Sequence, residues 1–177
     1  MFGYKNSGEI TFSYNADEIF DEVCLQSAFL AKSMAGKDGT IDDIAITNDE
    51  RELYDVCLRQ SMPSIYEAMM KMSSEVDNAF TDSAKVLEDE TDGMARKNGT
   101  YIELTIQDNG AYNENVLTMV DETLKECIKN GALARYYATN VNMALQSTVS
   151  TMYAANIQQL KKRVFQLKKK PISSLFI

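Results

Sequence analysis

From Asn142 to about Lys169 the residues Leu145, Val149, Met152, Tyr153, Asn156, Leu160, Val164 and Leu167 recur at helical spacing, which predicts one helix of roughly 40 Å. A rod of that length with an apolar side needs helical partners, so the chain is read first as a bundle. Its basic residues gather in its last turns, where cations favour the helix dipole.

Three further helical stretches supply those partners. The first is predicted from Asp17 to Ser33, with Ile19, Phe20, Val23, Cys24, Ser27, Leu30 and Ala31 on one face, stopped by the turn residues Ala35-Gly36-Lys37-Asp38-Gly39. The second begins near Asn48, an N-cap residue, carries Leu53, Val56, Cys57, Gln60, Ile65, Met69 and Met72, and runs to about Val76 with a kink at Pro63. The third is capped by Asn113, presents Val116, Leu117, Val120, Leu124 and Ile128, and is expected to end at Asn130-Gly131. A short helix from Ala132 to about Asn140 is predicted to follow.

Two regions have period two instead. Phe2, Tyr4, Ile10, Phe12 and Tyr14 alternate with polar residues, as in an extended arm or edge strand. Phe80 to Leu87 and Thr100 to Gln107, joined by an acidic loop closing on Asn98-Gly99, predict a long β-hairpin. Its second strand places Ile102, Leu104 and Ile106 on one face and Tyr101, Glu103, Thr105 and Gln107 on the other. A two-stranded unit is marginal in water, so Tyr101, Ile102, Leu104 and Ile106 are expected to pack against a neighbouring subunit. The fold class is therefore mainly α. Residues 1–170 form a single helical-bundle domain with a β-hairpin insertion at about 80–107, and residues 171–177 form an extended C-terminal tail.

Charge separates the tail from the body. Of the 26 acidic and 18 basic residues, all 26 acids but only 12 bases precede Lys161, and the other six bases lie at 161–170. Pro171 cannot continue a helix and biases Lys170 toward an extended backbone. Lys168, Lys169, Lys170, Pro171, Leu175, Phe176 and Ile177 thus make a basic and then apolar arm, expected to dock on another subunit or partner.

Several functions lose their chemistry at this stage. The chain has no histidine, which removes the commonest general base and a common metal ligand. Cys24, Cys57 and Cys127 sit at helical apolar positions and read as core residues. Asp38-Gly-Thr-Ile-Asp-Asp43 lacks the ligand spacing of a calcium loop. Phosphate-loop, dinucleotide and nucleophile-elbow motifs are missing, so no enzyme activity, catalytic residue, metal or cofactor is expected. An acidic body disfavours a grip on nucleic acid. No apolar run reaches the roughly 18 residues of a membrane span and no signal peptide is read at Met1, so a soluble protein without membrane contact, made in a reducing cytoplasm, is expected.

The helix at 113–130, the Ala132-Leu-Ala-Arg-Tyr-Tyr-Ala segment, the long helix ending Gln158-Gln-Leu-Lys-Lys-Arg163 and the Lys170-Pro171 step into an apolar tail resemble, in that order, the head–tail connector (adaptor, or neck ring) proteins of tailed bacteriophages and prophages. The resemblance implies a structural virion protein at the neck, made in the bacterial host. It implies a homo-oligomeric ring, commonly of twelve copies, seated beneath the portal protein, contacting the next neck or tail ring and flanking a conduit through which DNA passes without specific binding. The alternative is a cytoplasmic helical adaptor or regulator that binds an acidic partner or nucleic acid through the basic tail.

Overall fold

The computed structural model describes residues 2–5, 9–34, 45–70, 76–82, 99–107, 114–140 and 142–167. Strands β1 (Phe2–Lys5), β2 (Glu9–Asn15), β3 (Val76–Asp82) and β4 (Thr100–Gln107) accompany helices α1 (Ala16–Met34), α2 (Arg51–Met69), α3 (Glu114–Thr139) and α4 (Met143–Leu167). The fold is mainly helical with an antiparallel β3–β4 hairpin, as the sequence patterns predict, but β3 begins at Val76, four residues before the expected Phe80, and residues 83–87 of the expected strand lie outside the described residues.

The hairpin belongs to a larger sheet. Its order is β1-β2-β4-β3, antiparallel throughout, with Phe12 opposite Leu104, Ile10 opposite Ile106 and Val76 opposite Ile106 on the other side. The N-terminal residues are therefore two strands, and β2 lies inside the sheet instead of at its edge. Ile102 and Leu104 are fully buried and Ile106 nearly so, within one core that also holds Ile10, Phe12, Leu124 and Ile128. This corrects the expectation that Ile102, Leu104 and Ile106 await a neighbouring subunit: β2 and the helices of the same chain cover them. Tyr101 is also buried, on the opposite face. That face holds a polar ladder in which the Thr11 and Thr105 hydroxyls are 3.1 Å apart and Ser13 donates to Glu103 Oε1 at 3.1 Å.

β2 passes into α1 without a loop. Asn15 ends the strand and caps the helix, its Oδ1 accepting from the backbone N–H groups of Asp17 (2.9 Å) and Glu18 (3.1 Å). Gly99 sits against this junction at φ +151°, where a Cβ would stand 3.1 Å from Asn15 Nδ2. The backbone angle favours glycine there, and a larger residue would also press on the capping Asn15 side chain.

α2 is entered through a 3₁₀ turn at Asn48–Glu50, and the capping pair is Thr47 with Glu50 rather than Asn48 alone. Glu50 Oε2 accepts from the Thr47 N–H at 2.9 Å, and its other oxygen accepts from the Tyr136 hydroxyl on α3. The helix continues through the exposed Pro63 but stops at Met69, short of the predicted Val76. Val76 instead opens β3, because its place in the β4 ladder overrides local helical spacing.

α3 runs unbroken through Asn130-Gly131, which sequence reasoning read as a stop. Asn130 is buried and satisfied within the fold: its Nδ2 donates to Glu126 O (3.1 Å) and its Oδ1 accepts from Gln26 Nε2 (2.9 Å). Gly131 lies where α2 and α4 crowd α3, so that a Cβ there would be 3.0 Å from both Ser61 Cβ and Tyr153 Cε2. α4 is N-capped by Asn142, whose Oδ1 accepts from Leu145 N at 3.2 Å. It returns antiparallel to α3, with the Arg163 guanidinium donating to Met119 O and Thr123 Oγ1.

Candidate functional site

α1 has two apolar sides. Ile19, Phe20, Val23 and Ala31 face the core, while Leu25 and Phe29, one turn apart, stand 61% and 68% exposed. With Gln26 and Leu30 of α1, Glu126 and Lys129 of α3 and Met152 of α4, they line an open groove of about 610 Å³. An exposed apolar depression rimmed by charge is the usual mark of an interaction surface.

The charges along its α1–α3 wall are paired. Glu22 accepts from Lys125 Nζ at 2.5 Å and Lys129 Nζ at 3.3 Å, and Lys129 also meets Glu126 at 2.5 Å. Partial burial pushes the Glu22 carboxyl up, but hydrogen bonds and charge from the two lysines outweigh it and hold the group below its ordinary range. Burial likewise pulls Lys129 down, and its two glutamates more than reverse this. Glu22 and Lys129 thus favour their charged forms, and their pairs tie α1 to α3 beside the groove.

A second polar cluster joins the starts of α1 and α2. Arg51 pairs with Asp17 at 2.9 Å and Asp55 at 3.0 Å, and its guanidinium carbon lies 4.7 Å above the Phe20 ring. Tyr14 joins the sheet to α3 by donating to Asp121 Oδ1 at 2.7 Å. Burial, reinforced by Asp121, raises its phenol well above the ordinary value. These contacts all hold elements together.

The three cysteines are free thiols. Cys57 and Cys127 are buried and Cys24 half-buried, and burial raises all three, Cys127 to about 12 with help from Glu126. Thiols so placed remain protonated at neutral pH and are poor nucleophiles. Among the described residues no group of three or more Cys, Asp or Glu is placed to hold a metal ion, and no helix is long and apolar enough to cross a membrane.

The predicted tail residues Lys168, Lys169, Lys170, Pro171, Leu175, Phe176 and Ile177 lie outside the described residues. Leu25 and Phe29 escaped the sequence reading because it followed the core stripe of α1 alone. Their spacing of four, off that stripe, was the available signal. Met152 was assigned to the apolar side of α4, yet it is 38% exposed and forms part of the groove. Comparison of the chain with protein-family models, curated proteins and solved structures gives no significant match.

Proposed function

We propose that this chain is a structural subunit of a head–tail connector ring of the tailed-bacteriophage type, joining its neighbours through apolar surfaces and reaching the portal protein or the next ring with residues 168–177. What supports the reading is apolar exposure at two places on one subunit: the groove of Leu25, Phe29 and Met152, and the single side chain of Phe165, 64% exposed and 13 residues, or about 20 Å, further along α4. A ring subunit joined head to tail needs two different faces, whereas a twofold dimer uses one face twice.

The acidic body agrees with a wall past which DNA slides, since 26 acids against 12 bases before Lys161 repel phosphate. A regulator that grips nucleic acid through its basic end is less well supported, because Arg163 is engaged with Met119 and Thr123. Electron microscopy of the chain co-produced with a portal protein of a tailed bacteriophage tests the proposal. Rings on the portal are the expected result, and a chain that stays a monomer or dimer and never joins the portal overturns it.

A further inference from the structure

α1 and α4 carry opposite charge. Along Ala16–Met34 the acids Asp17, Glu18, Asp21 and Glu22 stand against the one base Lys32, a net charge of −3. Along Met143–Leu167 there are Lys161, Lys162 and Arg163 and no acid, a net charge of +3. Their apolar exposure is complementary as well. α1 offers a concave surface, the groove of about 610 Å³ lined by Leu25 and Phe29. α4 offers one protruding ring, Phe165, with Lys161 and Lys162 one turn before it on the same side of the helix.

Phe165 points away from the groove of its own chain. Arg163 is turned toward α3, where it donates to Met119 O and Thr123 Oγ1, and two residues on an α-helix lie about 200° around, so Phe165 faces outward. Between Met152 and Phe165 the helix turns through about 1,300°, which leaves the two side chains about 140° apart around α4 and about 20 Å apart along it. The ring therefore cannot reach its own groove. Two copies related by a twofold axis cannot make both contacts at once either, because anchor and groove open to nearly opposite sides.

We propose that Phe165 of one copy seats in the Leu25–Phe29–Met152 groove of a second copy, with Lys161 and Lys162 meeting the acidic surface of that copy's α1. The inference rests on the head-to-tail reading above and names its contact: an aromatic anchor in an apolar depression, framed by charges of opposite sign. A second copy is favoured as the occupant because the chain itself carries the complement that the groove calls for. Charge also selects the arrangement, since α1 against α1 or α4 against α4 would bring like charges together. Each copy has one anchor and one groove, so the contact repeats from copy to copy.

The test uses the full chain and two variants of exposed residues: Phe165→Ser, which keeps the groove, and Leu25→Asp with Phe29→Asp, which keeps the anchor. Sedimentation velocity over a range of concentrations, with native mass spectrometry of mixtures, reads the association. The unaltered chain should grow with concentration beyond a dimer. Each variant alone should stay a monomer under the same conditions, a loss of about thirtyfold or more in affinity, and an equal mixture of the two should give a one-to-one pair that grows no further. Should the aspartates reduce the helical circular dichroism, Leu25→Gln with Phe29→Gln takes their place. An unaltered chain that stays a monomer or stops at a dimer, a single variant that associates as the unaltered chain does, or a mixture that forms no pair would overturn the proposal. Rings on the portal from a chain whose variants do not pair would sink this contact and leave the connector reading standing, whereas pairing in the mixture without rings on the portal would do the reverse.

Discussion

Gly131 of α3 sits so close to Ser61 of α2 that a methyl group in its place would lie 3.0 Å from the serine Cβ, and equally close to the Tyr153 ring of α4. Alanine at this position would gain about 1 kcal/mol of helix propensity, while overpacking typically costs about 1–3 kcal/mol. Because the contact on one side is a Cβ held by the α2 backbone, the steric cost should win. Gly131→Ala is expected to lower stability by about 1 kcal/mol in urea titrations, and Gly131→Val by more. A more stable alanine variant would show that the three helices can separate there without loss.

Ile102 and Leu104 test whether the sheet is core or contact surface. Both are fully buried against their own chain, so Leu104→Asp forces a carboxylate into an apolar interior and should destabilise by roughly 4 kcal/mol or more. Loss of cooperative unfolding in the isolated chain is expected. A variant that unfolds at the wild-type midpoint and fails only in assembly would return these residues to an inter-subunit role.

Alkaline pH should loosen the fold. Burial raises Cys127 from near 9 to about 12, and burial with the charge of Glu50 raises Tyr137 from near 10 to about 12. The folded state favours both neutral forms, so the unfolded chain ionises first. The stabilisation is intact below about pH 9 and declines as pH rises from there toward 12. Denaturation midpoints measured stepwise across this window should fall, and a flat profile would contradict the burial of both groups.

Duplex DNA should not be retained at physiological salt, because the body carries an excess of carboxylates and Arg163 is committed to α3. A mobility-shift titration is expected to show at most weak binding at low salt. Tight binding that persisted near physiological salt would favour the regulator.

Patterns internal to one segment were legible in the sequence; arrangements decided between distant segments were not. Thr100–Gln107 was bounded correctly because its alternation reports one covered face, and α4 because its spacing is uninterrupted. The inner place of β2 depends on pairing Glu9 with Gln107, far along the chain, and alternation alone does not distinguish an inner strand from an edge. Asn130-Gly131 looked like a stop because both residues are common at helix ends. Gln26 and the pressure of Ser61 and Tyr153 give them another use. The groove was half legible, since Leu25 and Phe29 are visible as a pair in α1 but their alignment with Met152 exists only once α1 and α4 lie across α3.

The loopless junction at Asn15 has a mechanical meaning. With no slack between β2 and α1, and the Asn15 side chain holding the first helical N–H groups, α1 cannot swing on the sheet as an independent arm. A pull applied at Leu25 or Phe29 is carried along the helix axis into β2 and, across its ladder, into β4. Whatever binds the outer side of α1 therefore holds the body of the subunit as a rigid handle.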